Sequence, residues 1–208
     1  MSSMNTTLLL VRHAQTPSNV TRQYMGWTID DELSDQGQWQ AHRLSQRLSR
    51  LPIAAIYSSP LRRALSTARI VASAHSLPVE TVEGLGEMRL GAWEGLFAHE
   101  IAASYPELWR MWRRDPSGIQ MPGGESLAQV RERAVAAFKQ IVEANQGSQV
   151  TAVTHDVVIR LLVAYCLDVS TAIYRRLQVD NASLTIVVVS DGNCRLCTLN
   201  DTAHLVTH

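Results

Sequence analysis

The stretch LLLVRHAQT, residues 8–16, joins an apolar run directly to a cation and an imidazole. Its first four residues predict a strand covered on both faces, as in a parallel sheet. Arg12 and His13 follow at once, and Thr16 and Pro17 then turn the chain. Because ligands of open α/β sheets bind at the carboxyl ends of the strands, we expect Arg12 and His13 to lie at a ligand site.

Two further segments deliver the same residue types to the same edge of the predicted sheet. The strand 150–153 ends on Thr154 and His155, and the strand 53–57 leads through Ser-Ser-Pro to Arg62 at the start of a helix. Arginine binds phosphate oxygens as a planar fork, and neutral imidazole can attack phosphorus. The four side chains, Arg12, His13, Arg62 and His155, therefore predict a phosphoryl site.

Strand patterns alternate with amphipathic helical patterns along the rest of the chain. Ser34 and Ser126 have the positions of helix N-caps, the second with Gln129 in a capping box, and residues 183–199 predict a closing hairpin around Asp191 and Gly192. This order predicts an α/β fold, a single-domain three-layer α/β/α sandwich with a mostly parallel central sheet. We expect one domain over 1–208, with its core at about 7–200 and a lid-like helical insertion at about 96–125.

Composition excludes several classes of protein. The 208 residues hold 19 Lys plus Arg and 19 Asp plus Glu, so no overall field favours nucleic acid or an anionic membrane. The polar start lacks a secretory signal pattern, and three cysteines fit a reducing compartment, which predicts a cytoplasmic protein. Cys194 and Cys197 form a lone C-x-x-C; thiols of a strand are the favoured interpretation, with a zinc or redox role as the alternative.

Four motifs in order resemble the histidine phosphatase superfamily, which is also called the phosphoglycerate mutase-like family. They are RHAQT with Asn19, SSPLRRALSTA at 58–68, GEMRLGAWEGL at 86–96 and VTHD at 153–156. The resemblance covers about 8–189. It implies a phosphoglycerate mutase-like fold and hydrolysis of a small-molecule phosphomonoester through a phosphohistidine, without metal or other cofactor. It also implies a small phosphorylated metabolite as partner and is compatible with a homodimer.

The resemblance also implies a role for individual side chains. His13 would be the nucleophile, Glu87 the general acid and base, and His155 a second catalytic histidine that holds the phosphoryl group. The other expected residues fall into two groups: Arg12, Thr16, Asn19 and Arg62 would bind phosphate, and Met25, Gly26, Arg113 and His204 would form the rim of the substrate site. Arg113 is placed there by its position in the candidate lid segment and His204 by its position in the tail, for which a mobile terminus is the alternative.

Several alternatives remain open at the level of sequence. Glu94 rivals Glu87 as the acid, and the segment containing Trp109 and Trp112 is either a lid or a partly buried helix. A phosphoglycerate mutase, a non-catalytic module that binds phosphorylated ligands, and a metallohydrolase with two histidine ligands compete with the phosphatase. Two departures from the family pattern stand out. Asp156 follows the second histidine where relatives usually have glycine, and Met25 stands where many have a polar residue.

Overall fold

One mixed sheet of six strands organises residues 5–206, the part of the chain that this computed structural model describes. The strand order is β3-β2-β4-β1-β5-β6, with β1 to β4 parallel to one another and β5 antiparallel to both of its neighbours. The strands are β1 Thr6–Arg12, β2 Ile53–Ser58, β3 Val79–Thr81, β4 Gln149–Thr154, β5 Leu184–Ser190 and β6 Asn193–Asp201.

Helices cover both faces of this sheet. They are α1 Pro17–Thr21, α2 Asp35–Leu48, α3 Arg62–Ser73, α4 Ala98–Ser104, α5 Pro106–Arg114, α6 Leu127–Ala144 and α7 Asp156–Cys166. Short 3-10 turns lie at Glu83–Leu85, Gly91–Trp93, Thr171–Arg176 and Ala203–Leu205. Helices α2 and α3 pack on one face, whereas α6 and α7 pack on the other.

Alternation along β1 builds the two halves of the core. Leu8 and Leu10 face the cluster that contains α6 and α7, and Leu9 and Val11 face the cluster that contains α2 and α3. All four are buried, which explains the unbroken apolar run in the sequence. The predicted three-layer, mostly parallel α/β fold is confirmed.

The two predicted N-cap serines cap their helices as expected, and the structure contains one further short helix. The Ser34 and Ser126 hydroxyls accept from the N–H groups of Gly37 and Gln129. The first loop, expected as a turn, instead contains α1, because Thr16 and Asn19 form a capping box and Pro17 occupies its first turn.

The segment 96–125 contains α4 and α5, followed by a loop that leads to α6. Its proposed action as a lid and the domain boundaries of 1–208 stay predictions, and the chain ends, 1–4 and 207–208, lie outside the described residues. Cys194 and Cys197 lie on the edge strand β6. Within 5–206 no helix combines the length and apolarity needed to cross a bilayer.

Candidate active site

A cavity of about 410 Å³ opens at the carboxyl ends of β1, β2 and β4. Arg12 and His13 reach it from the end of β1, and Arg63 reaches it from the first turn of α3. Glu87 closes one side, and Asp156, the first residue of α7, contributes a second carboxylate. The topology therefore gathers side chains from four separate segments around one space, as expected for the carboxyl edge of a parallel sheet.

His13 is a buried imidazole with a fixed tautomer. Its Nδ1 lies 2.8 Å from the carbonyl oxygen of Ala14, and because that oxygen can only accept, Nδ1 carries the proton. Nε2 is then left with a free lone pair. Burial lowers the pKa of His13 well below its usual value, and the charges of Arg63 and Arg12 lower it further. At neutral pH the ring is therefore uncharged, with its proton on Nδ1 and its lone pair on Nε2.

His155 packs against His13, with ring centroids 5.1 Å apart. Its Nε2 lies 2.7 Å from the Ser59 hydroxyl, which itself accepts from the N–H of Leu61. The hydroxyl keeps one proton to donate, and when it donates to Nε2 the ring proton lies on Nδ1. This Nδ1 is buried and has no hydrogen-bond partner among residues 5–206. Burial, followed by the charge of Arg63, lowers the pKa of His155 and keeps the ring neutral.

Two guanidinium groups flank the histidines. Arg12 donates from Nη1 to the carbonyl of Val179 at 2.7 Å, and Arg63 donates from Nη2 to the carbonyl of Gly26 at 2.8 Å. These bonds fix both planes, yet the Nε of each arginine is buried without a partner in the described part of the chain. Both groups therefore keep donor capacity for a ligand beside His13.

The cation from α3 is Arg63, which corrects the prediction of Arg62. Arg62 is 61% exposed and pairs with Glu32 on the surface, whereas Arg63 is 1% exposed and lines the cavity. The reason is helical phase. Arg63 shares its face with the buried Thr67, one turn later, whereas Arg62 is in register with Ser66, which also contacts Glu32.

Glu87 lines the cavity as a largely desolvated carboxyl group. Burial raises its pKa above the usual value, and the nearby Asp156 raises it further, although a hydrogen bond from the Met88 N–H and the charge of Arg63 oppose this effect. The Arg133 guanidinium holds the segment by donating to the Glu87 carbonyl at 2.8 Å. A carboxyl group with a raised pKa beside a nucleophile can serve as a proton donor.

Glu94, the alternative candidate for the general acid, lies outside the cavity and supports a turn of the backbone. It accepts the N–H groups of Trp27, Thr28 and Leu90 and does not line the cavity. It lies beneath Gly26, whose φ is +56° and whose hydrogen could not be replaced by a Cβ without overlap with the Glu94 carboxylate. Glu94 thereby supports the turn whose carbonyl binds the guanidinium from α3.

The structure brings some of the other expected residues to the cavity and leaves three away from it. Asn19, Met25 and Gly26 line the cavity. Thr16 is instead the fully buried N-cap of α1, so its hydroxyl is engaged there. Arg113 stacks over Trp109 and is not a lining residue. His204 is buried in the last 3-10 turn, where its carbonyl accepts from Arg43 of α2, and it too is not a lining residue.

Three arginines that line the cavity were not expected from the sequence: Arg22, Arg160 and Arg175. Arg22 and Arg175 are exposed and lie in the outer part of the cavity, and Trp112, which the sequence placed in the candidate lid segment, lines it as well. The Nε of Arg160 lies 2.6 Å from a carboxylate oxygen of Asp156, the acid that unusually follows the second histidine. The two residues are four apart on α7, and their ion pair neutralises the charge of this acid. That spacing was visible in the sequence. Arg175 donates from Nε to the carbonyl of Trp112 at 2.9 Å, a contact between segments 63 residues apart that no local pattern in the sequence reports.

Metal ligation finds no support in the geometry. Residues 5–206 contain no group of three or more His, Cys, Asp or Glu side chains arranged to hold a metal ion. The two site histidines also lie beside permanent cations, which disfavour a bound cation.

Comparison with known proteins agrees with this arrangement. The family model of the histidine phosphatase superfamily, branch 1, matches residues 8–202. The chain is 34% identical over 198 residues to phosphoserine phosphatase 1 of Hydrogenobacter thermophilus, covering 95% of this chain and 93% of that protein. It is 38% identical over 202 residues to a bifunctional protein of Mycobacterium tuberculosis, covering 96% of this chain but 55% of that longer protein. The solved structure of Bacillus stearothermophilus YhfR has a TM-score of 0.93 at 35% identity, covering 97% of this chain and 100% of that chain.

The fold and the buried histidine, flanked by arginines and a carboxyl group, define an enzyme of phosphate ester chemistry. The chain belongs to the histidine phosphatase superfamily. The family predicted from the four motifs and the predicted class of enzyme are both confirmed.

Proposed function

We propose that this protein hydrolyses a small-molecule phosphomonoester through a phosphohistidine formed on His13. The observation that carries the proposal is the set of buried donors around that ring. Arg12 Nε, Arg63 Nε and His155 Nδ1 are all buried without partners in the described residues, beside a neutral imidazole whose Nε2 is free. Unpaired buried donors are costly unless a ligand satisfies them, and a phosphoryl group offers the three oxygens that would do so.

In the first half of the reaction, His13 Nε2 attacks phosphorus and the ester P–O bond breaks. Arg12, Arg63 and His155 stabilise the equatorial oxygens by charge and hydrogen bonding, which is the main contribution that a protein makes to phosphoryl transfer. Glu87, kept protonated to higher pH by its raised pKa, gives its proton to the leaving oxygen. The products of this half are the free alcohol and a phosphohistidine.

In the second half, water attacks the phosphorus and the bond between phosphorus and His13 breaks. Glu87, now ionised, takes a proton from the attacking water, so the carboxyl group returns to its starting state. Inorganic phosphate leaves and His13 regains its free lone pair. A module that only binds phosphorylated ligands would need the arginines but neither the nucleophile nor the acid.

The outer cavity supports an ester whose leaving group carries a second negative charge. Arg22 and Arg175 line it, and neither forms an ion pair with a carboxylate of residues 5–206, unlike Arg160 with Asp156. Exposed guanidiniums that have no carboxylate partner would attract a substrate carboxylate, and Trp112 and Tyr24, which also line the cavity, offer apolar contact. We therefore propose a phosphorylated small metabolite with a carboxylate. Zero net charge and the odd number of cysteines, three, support a cytoplasmic location without nucleic-acid or membrane partners.

A phosphate-release screen over phosphorylated metabolites tests the proposal, with wild type and His13→Gln in parallel. We expect carboxylate-bearing esters such as phosphoserine to exceed neutral sugar phosphates in kcat/KM, with no turnover by the variant. A parallel assay of 3-phosphoglycerate with a bisphosphoglycerate primer separates hydrolysis from mutase activity. Full turnover by His13→Gln, or phosphoryl return to product without release, would refute the proposal. Sedimentation of the pure protein decides between monomer and homodimer.

A further inference from the structure

Behind the cavity, a loop that joins the turn after α7 to β5 meets the backbone of the site. Asn181 lies in this loop, does not line the cavity, and donates from Nδ2 to two acceptors. One is the carbonyl of His13 at 3.1 Å, and the other is Oδ1 of Asn19 at 3.0 Å. Both hydrogens of the Asn181 amide are thus used in the space directly behind the nucleophile.

The chemistry of the partners fixes the orientation of both amides. The His13 carbonyl can only accept, so the Asn181 atom that faces it has to be nitrogen. The N–H of Thr16 can only donate and lies 3.1 Å from Asn19 Oδ1, so that atom has to be oxygen. Oδ1 of Asn19 then accepts hydrogen bonds from Thr16 and Asn181, and a flip of the Asn19 amide would break both bonds.

The consequence falls on the opposite end of the Asn19 amide. Asn19 lines the cavity, and among the described residues its Nδ2 has only a long contact of 3.5 Å, to the sulfur of Met25. Thioether sulfur is a weak acceptor, so Nδ2 keeps donor capacity for a ligand oxygen in the cavity. Asn19 presents this nitrogen, rather than its oxygen, because its oxygen is held from behind.

We infer that Asn181 is a positioning residue that sets the Asn19 amide as a phosphate donor. The inference rests on the proposed function, since it assigns the cavity to a phosphoryl group. The His13 carbonyl depends less on Asn181, because it also accepts the N–H of Ala182 at 3.1 Å. The effect of losing Asn181 should therefore be transmitted mainly through Asn19.

Two substitutions at this position separate donation from space filling. Asn181→Asp keeps the shape but places an acceptor opposite two acceptors, whereas Asn181→Ala removes the group. Positioning by donation predicts that kcat/KM for p-nitrophenyl phosphate falls about tenfold in Asn181→Ala and further in Asn181→Asp. A purely space-filling role predicts the reverse order, with Asn181→Asp close to wild type, and that result would overturn the inference.

A double-mutant cycle tests the route through Asn19. If Asn181 acts through that amide, Asn19→Ala combined with Asn181→Ala should lose no more than about threefold beyond Asn19→Ala alone. Losses that multiply would overturn the inference. Asn200→Gly is the matched control. The side-chain oxygen of Asn200 accepts the N–H of Asp180, the residue before Asn181, at 2.6 Å, and Asn200 has a φ of +56° that glycine readily adopts. This control should lower the melting temperature and leave kcat/KM near wild type, and a tenfold loss there would instead assign the effect to loop integrity.

Calorimetric binding of inorganic phosphate repeats the same cycle without turnover. Weaker binding in Asn181→Asp than in Asn181→Ala, with the same dependence on Asn19, supports the inference even if wild type hydrolyses nothing. Phosphate binding of this pattern by a wild type without turnover would refute the proposed function alone. A wild type that neither binds phosphate nor hydrolyses any ester would refute both.

Discussion

Exchanging the roles of two adjacent arginines gives the sharpest check on the geometry of α3. Arg63 is 1% exposed and faces the cavity, whereas Arg62 is 61% exposed and pairs with Glu32. We propose to compare Arg63→Met, which keeps the length of the buried side chain, with Arg62→Met at the neighbouring position. The two variants remove the same charge from the same helical turn, and they differ in the direction of the side chain and in its contacts, since Arg63 also pairs with Asp30.

The expected magnitude follows from the position of the charge. A cation about 4 Å from a phosphoryl charge is worth about 4 kcal/mol at an effective dielectric constant near 20, which corresponds to about a thousandfold in rate. We therefore expect kcat/KM to fall about a thousandfold in Arg63→Met. An exposed pair such as that of Arg62 contributes about 0–1 kcal/mol to stability, so Arg62→Met should keep kcat/KM within about threefold of wild type.

The assay is steady-state release of p-nitrophenolate, with a thermal melt of each variant. The melt is needed because Arg63 also donates to the carbonyls of Gly26 and Ile29, so its loss lowers stability as well as activity. A folded Arg63→Met with near wild-type kcat/KM, or an Arg62→Met with a hundredfold loss, would refute the assignment of the phosphate cation.

Three other consequences of the site are open to direct measurement. Glu87→Gln should lower kcat/KM, which reports the step that forms the phosphohistidine, about 100 to 10,000-fold for an alkyl phosphate and far less for p-nitrophenyl phosphate, whose leaving group needs no proton; equal losses in kcat/KM would remove the role of acid. Unfolded histidines take up protons near pH 6.5, but folded His13 and His155 do not, so the free energy of unfolding should fall as pH drops below that value. His13→Gln should flatten this decline in urea titrations, and an unchanged slope would contradict the lowered pKa. Dialysis against EDTA should leave kcat unchanged, whereas a loss restored by added zinc would indicate a metalloenzyme.

Much of the fold was predictable because its signals are local. The unbroken apolar run of β1 and the N-caps Ser34 and Ser126 act through neighbours in the chain, and each reappears in the structure. The parallel-sheet rule then places His13 and His155 at one edge without further information. Residues that directly follow parallel strands are brought to the same edge of the sheet by strand direction alone.

The rest of the site depends on helical phase and on contacts between distant segments. Two adjacent arginines cannot be told apart by residue type, and only the buried face that Arg63 shares with Thr67, four residues later, distinguishes Arg63 from Arg62. The tertiary partners of the site lie much further apart. Asn181 meets Asn19 across 162 positions and His155 meets Ser59 across 96, so no periodicity in the sequence reports either contact.

Trapping of the reaction intermediate tests the central claim most directly. Wild-type protein mixed with p-nitrophenyl phosphate should release a burst of p-nitrophenolate equal to the enzyme concentration if hydrolysis of the intermediate limits turnover, and Glu87→Gln, which slows that step, should accumulate it. Quenching in base and locating the phosphoryl group by mass spectrometry should find it on His13. A phosphoryl group on another residue, or full turnover by His13→Gln, would contradict the account.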